Sequence, residues 1–235
     1  MNKFIEFACK FIPNYQQSIC GASQEEIVHF KQLVGYPLPK TYEEYLLYLG
    51  HENGGVEIIC DGTMNIMDLI EFYEQDIVPG HSKVPPDCII VGIGGTIVEE
   101  ISLQGISSKK PQVVFSGGGK VRSLYAESFE KLLFRSLFTQ EQHQLFSNFS
   151  RLTSTDNKRL VELSHDVAVN FLDFKPLWFS DSIAFCGERE DATISVLQGE
   201  KNDATTIKIA TQQESEMNHI IAVFMDNLGV DLRRW

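Results

Sequence analysis

The sequence lacks any apolar run approaching the ~18–20 residues that a helix needs to cross a bilayer, so no transmembrane helix is expected. It also lacks a start that resembles a signal peptide, because Glu6 and Lys10 interrupt the apolar residues there. The five cysteines are odd in number and include no pair at CxxC spacing, which argues against a disulfide framework. Unpaired cysteines are typical of a reducing compartment, and we expect a cytoplasmic protein.

The common signatures of cofactor binding and catalysis are missing as well. Gly92, Gly94 and Gly95 follow a predicted strand, but the residues after them are strand-like, so no helix N-terminus is available for a pyrophosphate. The glycines of residues 117–120 precede Val121, where a phosphate-binding loop has Ser or Thr. No GxSxG elbow occurs, and no two histidines have helical metal-site spacing. We therefore expect no catalytic residues, no cofactor and no metal, and predict that the protein is not an enzyme.

Basic residues are scarce relative to acidic ones. The chain has 20 Lys and Arg against 32 Asp and Glu, for a net charge of -12. Such a chain repels nucleic acid and anionic membrane surfaces at long range, and it attracts a basic partner. We therefore expect a protein partner, with a basic toxin domain as one candidate, and no binding to nucleic acid or membranes. The alternative explanation is that the charge only keeps the protein soluble.

Residues 36–55 contain the most informative local pattern. Pro39 directs the chain into a predicted helix with one apolar face at i, i+3, i+4 and i+7. This face consists of Tyr42, Tyr45, Leu46 and Leu49. After the helix comes Asn-Gly-Gly at residues 53–55, where a left-handed backbone costs least. We predict that Gly54 or Gly55 adopts a positive φ and that a strand follows the turn.

The alternation of helical and strand-like periods predicts an α+β fold, with a mixed or antiparallel sheet and helices packed on one side. A length of 235 residues allows one large domain or a domain with an appendage. Because residues 150–155 are polar and loop-like, we predict a domain at residues 1–150 and a C-terminal α-β-β-β-α appendage at residues 151–235. The last predicted helix must bury an apolar face, which comprises Met217, Ile220, Ile221, Phe224 and Leu228.

This order of elements resembles the SUKH superfamily, which includes many bacterial immunity proteins and a fungal cell-wall-synthesis regulator. The resemblance covers roughly the first two-thirds of the chain. The residues that carry it are Leu38-Pro39, Tyr42, Tyr45, Leu46, Asn53-Gly54-Gly55, the strand-like residues 89–103 and 112–115, and the helix start at residues 128–130. The resemblance implies a domain that binds another protein, either an immunity protein that neutralises a toxin or a regulatory or scaffold protein.

Four residues are candidates for the partner-binding surface: Glu52, Asn53, Glu99 and Glu100. The first two belong to the loop after the aromatic helix, and the other two interrupt a predicted strand. Carboxylates in such places can receive Lys and Arg from a partner, although a merely solvated acidic surface is the alternative. The leading hypothesis is a non-enzymatic immunity protein that neutralises a bacterial toxin by direct binding. A regulatory or scaffold protein and an enzyme without a recognisable motif are the alternatives.

Overall fold

The computed structural model of the chain divides into two compact units, Met1–Ser136 and Leu137–Trp235. It describes residues 1–75, 84–94, 100–108, 110–155, 159–199, 204–229 and 233–234. Every strand pair among these described residues is antiparallel, and each of the two larger sheets is accompanied by helices. The predicted α+β class is therefore confirmed.

The first unit combines helices with one larger sheet and one small strand pair. Its helices are α1 (Asn2–Ala8), α2 (Gln24–Val34), α3 (Lys40–Leu49), α4 (Ile66–Gln75) and α5 (Phe129–Glu141), of which the last continues past Ser136. Its strands are β1 (Ile19–Cys20), β2 (Glu52–Asn53), β3 (Gly62–Thr63), β4 (Cys88–Gly94), β5 (Glu100–Gln104), β6 (Gln112–Gly117) and β7 (Lys120–Ala126). Strands β1 and β2 pair with each other, and the other five form a sheet in the order β3-β4-β5-β6-β7.

The stretch around α3 folds largely as its pattern predicts. All four residues of the predicted apolar face are buried, because they lie on one side of α3. Gly54 and Gly55 have φ angles of 70° and 81°, so the predicted left-handed turn is confirmed. The prediction of a strand directly after the turn is wrong, because residues 56–61 are irregular and the next strand is β3. Val56, Ile58 and Ile59 are buried there, so their apolar character comes from core packing rather than from strand formation.

The second unit is built around a six-stranded sheet. Its helices are α6 (Leu160–Leu172) and α7 (Glu214–Leu228), and its strands are β8 (Asn148–Ser154), β9 (Lys175–Pro176), β10 (Ala184–Arg189), β11 (Ala192–Gln198), β12 (Thr205–Thr211) and β13 (Arg233–Arg234). The strand order is β13-β8-β12-β11-β10-β9. Alternate residues of β11 and β12 form a core with α6 and α7. The predicted apolar face of α7 is confirmed as buried.

Two predictions about this region are not confirmed by the structure. The appendage with three strands is not confirmed in that form, because β8, β9 and β13 join the three central strands. The predicted division at residue 150 lies inside β8, whereas the compact units separate after Ser136. Residues 148–154 have a loop-like composition, but every one of them pairs with β12, which makes the segment an integral strand.

Candidate functional site

A groove of about 670 Å³ opens in the first unit beside the Asn-Gly-Gly turn. It is lined by β2, the turn, the irregular residues 56–61, β3 and the start of α4. Six of its lining residues are buried and hydrophobic: Tyr45, Leu49, Val56, Ile58, Ile59 and Met64. Four others are exposed carboxylates: Glu52, Glu57, Asp61 and Asp68. We refer to this site as the acidic groove.

The charged residues that line the acidic groove are almost all of one sign. Among the described residues that line it, none is Lys or Arg, and only His51 can become cationic. The sequence around it is similarly biased: between Lys40 and Lys83 there are nine Asp or Glu residues and no Lys or Arg. Carboxylates along a concave, low-dielectric surface focus the field and raise the local concentration of cations. The groove is therefore suited to cationic groups.

Asn53 organises one wall of the acidic groove. Its Oδ1 accepts a hydrogen bond from the Gly55 N–H at 3.2 Å, and its Nδ2 donates to the Val56 carbonyl at 2.8 Å. The Tyr15 hydroxyl donates to the Asn53 carbonyl at 2.8 Å. Burial raises the pKa of Tyr15, so this hydroxyl keeps its proton and remains a donor. The side-chain Oδ1 and Nδ2 of Asn53 thus both form hydrogen bonds within the turn.

Asn65 connects the turn side of the groove to α4. Its Oδ1 accepts from the Met67 N–H at 2.9 Å, and its Nδ2 donates to the His51 carbonyl at 3.0 Å. Beside it, the Thr63 hydroxyl donates to Asp68 Oδ2 at 2.6 Å and accepts from the Asn65 N–H at 3.0 Å. These bonds hold the start of α4 against the segment that follows α3. The groove is therefore a preformed cleft, which reduces the ordering cost of binding.

His51 connects the groove to α2. Its Nε2 lies 3.0 Å from Glu26 Oε2, and its backbone N–H donates to the Cys20 carbonyl at 2.9 Å. Glu26 also closes the N-terminal capping box of α2, where it accepts hydrogen bonds from Ser23. Hydrogen bonding from the Ser23 backbone lowers the pKa of Glu26, with smaller contributions from the Ser23 hydroxyl and His51. Glu26 is therefore a stable anion beside the imidazole.

The structure describes three of the four residues predicted to bind a partner, and it does not bring all three to one site. Glu52 is exposed and lines the acidic groove, and the neighbouring Asn53 lines it while holding the turn. Glu99 lies outside the residues that the structure describes. Glu100 belongs to β5 and is not among the residues that line the groove. Glu52 and Asn53 are therefore the pair that the fold brings to one site.

Glu100 does not have the exposed position that a carboxylate displayed to a partner requires. Only 1% of its surface is accessible, and its Oε2 lies 3.4 Å from the Ser116 hydroxyl. The Ser116 and Ser102 hydroxyls are themselves 2.7 Å apart and buried. Strand β5 lies between β4 and β6, and its residues from Glu100 to Leu103 are buried whichever face they occupy. A strand covered on both faces gives a polar residue no solvent-facing side.

Sequence reasoning missed three groove carboxylates, Glu57, Asp61 and Asp68. They are scattered along an irregular segment, a turn and a helix start, so no periodic pattern relates them. The available signal was the long interval between Lys40 and Lys83 without a basic residue. Such an interval predicts a local field even where it does not predict which side chains converge.

Two searches across the described part of the chain gave negative results. No group of three or more His, Cys, Asp or Glu residues has an arrangement that could hold a metal ion within the described segments. None of the helices in those segments combines the length and apolar character needed to cross a membrane.

The first unit is thus an α+β domain with a preformed acidic cleft. Residues 21–135, which contain almost the whole groove lining, match the model of the SMI1 / KNR4 family (SUKH-1). This part of the chain belongs to the SUKH superfamily, which confirms the resemblance seen in the sequence. The superfamily is known for immunity proteins and related regulators, and its members bind protein partners.

Comparison with solved structures found a match to the NMR structure of PA4090 from Pseudomonas aeruginosa. The match has 12% sequence identity and a TM-score of 0.29, and it covers 38% of this chain and 96% of that chain. A similarity at this level carries no argument about function. No curated protein matches the chain significantly.

Proposed function

We propose that this protein is a non-enzymatic binding module, an immunity protein that neutralises a bacterial toxin by binding it directly in the cytoplasm. In this proposal the acidic groove receives Lys and Arg side chains of the toxin. The observation that carries the proposal is the groove lining, which among the described residues has four exposed carboxylates and no Lys or Arg. Membership in a superfamily known for immunity proteins supports the choice of partner.

The chemistry of the groove suits long basic side chains. Lys and Arg bury their aliphatic stems along apolar surface while their charged ends stay with polar groups. Val56, Ile58 and Met64 line the groove with only 3–5% of their surface exposed, so the apolar contact is small. The exposed carboxylates of Glu52 and Asp61 are the main groups that a basic side chain meets. A toxin that cleaves nucleic acid must present Lys and Arg to phosphates. An inhibitor that presents carboxylates to the same residues gains in association rate and in selectivity.

The predicted partner-binding residues take different parts in this proposal. Glu52 contributes charge directly, and Asn53 keeps the turn in the shape that forms the groove wall. Glu99 remains a candidate for direct contact with the partner. Glu100 is not included, because its buried carboxylate is not presented to a partner.

A regulatory or scaffold role is the second candidate. The observation that favours it is the second unit, which lies beyond the family match at residues 21–135 and has a hydrophobic core of its own. A chain with two compact units can offer two binding surfaces, which is what a scaffold requires. This role predicts stable binding to partners that are not toxins.

The test is stopped-flow association with the product of the neighbouring gene across a salt series. Glu52→Gln combined with Asp61→Asn should slow association several-fold at 0.01 M salt, where the Debye length is about 30 Å. The deficit should shrink at 0.15 M, where that length is about 8 Å. The dissociation rate should change less, because exposed charges mainly steer the encounter.

The matched control is Glu6→Gln combined with Glu25→Gln. These two exposed carboxylates belong to the same unit but do not line the groove, so the control removes equal charge elsewhere. Equal slowing by both double variants, or an association rate that does not depend on salt, would remove the groove from the proposal. No association with the neighbouring gene product would leave the regulatory or scaffold role as the better hypothesis.

A further inference from the structure

His51 has an unusual position in the charge pattern of the groove. It is the one described lining residue whose side chain can become cationic, and its Nε2 lies 3.0 Å from Glu26 Oε2. Its side chain is about three-quarters buried, with 25% exposure. Hydrogen bonds at its backbone N–H and carbonyl hold the residue between β1 and Asn65. The backbone of His51 is therefore fixed beside the groove.

The His51–Glu26 pair changes its net charge when the imidazole gains a proton. With a neutral imidazole the pair carries a charge of about -1, and with an imidazolium it carries about zero. Glu26 stays ionised because hydrogen bonds from Ser23 favour its anionic form. Protonation at this one position thus removes about one unit of negative charge from the groove wall.

We propose that protonation of His51 regulates the acidic groove, so that a cationic partner binds more weakly as the pH falls. This inference rests on the proposed function, because it assumes that the groove binds cationic groups. Thermodynamic linkage requires the converse as well: a cationic partner that enters the groove must favour the neutral imidazole and release a proton. Imidazoles ordinarily change charge between about pH 5 and 8, which is the range in which the coupling is tested.

The other titratable groups around His51 are carboxylates, the thiol of Cys20, whose carbonyl accepts from the His51 N–H, and the phenol of Tyr45, whose pKa is raised by burial. Glu26 faces it from α2, and Glu52 follows it in the chain on β2. The remaining charged lining residues are Glu57, Asp61 and Asp68. A carboxylate ordinarily titrates near pH 4, below the range of an imidazole. The pH dependence between about pH 5.5 and 8 is therefore assigned to the imidazole.

The test is isothermal titration calorimetry of the full chain with an octalysine peptide at low ionic strength. The peptide is N-acetylated, because a free α-amino group would titrate near pH 8, and its lysine side chains keep their charge below pH 8, so the probe itself does not titrate. The affinity should rise about three- to tenfold between about pH 5.5 and 8, as expected for one unit charge about 4 Å from another in a solvent-exposed, water-like dielectric. Within this pH range, binding should release a fraction of a proton, which appears as a dependence of the heat on the buffer.

His51→Gln should abolish both the affinity change and the proton release. His29→Gln is the matched control, because His29 forms an exposed pair with Glu74 at 2.9 Å but does not line the groove. It should keep the behaviour of the parent protein. A His51→Gln protein that retains the parent's pH dependence overturns the regulation, while binding that still requires Glu52 and Asp61 leaves the proposed function standing. A parent protein that does not bind the peptide overturns both.

A second measurement covers the case in which His51→Gln fails to fold. Nuclear magnetic resonance can follow the imidazole signals of the parent protein during a pH titration. Saturating octalysine should move the titration midpoint of His51 to lower pH and leave that of His29 unchanged. If the titration midpoint of His51 is the same with and without bound peptide, the coupling is contradicted. This result does not depend on any variant.

Discussion

The ring of Tyr15 lies directly against Gly54. A Cβ placed on Gly54 would fall 2.2 Å from Tyr15 Cε2, and the Tyr15 hydroxyl donates to the carbonyl of the preceding Asn53 at 2.8 Å. One aromatic side chain therefore supports the turn of the acidic groove by shape and by a hydrogen bond. The turn needs glycine at this position both for its backbone angle and for the space that the ring occupies.

Gly54→Ala should destabilise the protein more than Gly55→Ala. Both residues have positive φ, and a side chain there costs about 1–2 kcal/mol. No atom lies within 4 Å of a Cβ on Gly55, whereas one on Gly54 collides with Tyr15 and adds about 1–3 kcal/mol of overpacking. Urea unfolding of the two variants measures the difference. Equal midpoints would show that the ring does not constrain the turn.

Phe224→Ala should cost about 3–5 kcal/mol of unfolding free energy, because it leaves a cavity in the core of the second unit. Met225→Ala is the control on the same helix, since Met225 is 51% exposed while Phe224 is fully buried. The control should change stability by no more than about 0.5 kcal/mol. Thermal and urea denaturation of both variants check this. A similar small effect for both would mean that the Phe224 face is not packed as described.

Arg189→Met should destabilise the second unit by about 1–3 kcal/mol, because it leaves the Leu172 carbonyl and two partly exposed carboxylates without their hydrogen-bond donor. The guanidinium bonds Asp191 at 2.7 Å, the Leu172 carbonyl at 2.9 Å and Glu216, and it lies 5.2 Å from the centre of the Phe174 ring. These contacts connect the β10–β11 turn to the end of α6 and the start of α7.

Arg159→Met provides the comparison for Arg189. Arg159 pairs with Glu162 at 2.9 Å, but both side chains are mostly exposed, and such pairs contribute little. Its replacement should change the unfolding midpoint only marginally. If the two arginine variants have equal midpoints, the network around Arg189 does not stabilise the unit.

The buried thiol of Cys88 should make stability fall in alkaline solution. Burial, and to a smaller extent Asp87, raises the pKa of Cys88 from 9.0 to about 11. The unfolded chain therefore ionises this thiol first, so its contribution to stability is present below pH 9 and is lost as the pH rises toward 11. Cys88→Ala should reduce this loss, whereas Cys20→Ala, at an exposed cysteine, should not. Urea unfolding at several alkaline pH values makes the comparison, and identical pH profiles for both variants would contradict it.

The sequence by itself determined the elements whose signals are local. The spacing of Tyr42, Tyr45 and Leu46 predicts which face of α3 is buried, because a helix places residues three and four apart on one side. The Asn-Gly-Gly run predicts the left-handed turn, since glycine adopts positive φ without steric cost. The family resemblance depends on these same residues, and it is confirmed for residues 21–135.

The tertiary structure alone decided which polar residues are presented to solvent. Glu100 has the sequence context of a half-exposed strand, but its strand is covered on both faces, so the carboxylate is buried. Glu57, Asp61 and Asp68 have no common period, yet the chain brings them to one groove with Glu52. Helical and strand periods describe only the residues of one element. Convergence of side chains from a turn, an irregular segment and a helix start depends on contacts between elements, which no local pattern encodes.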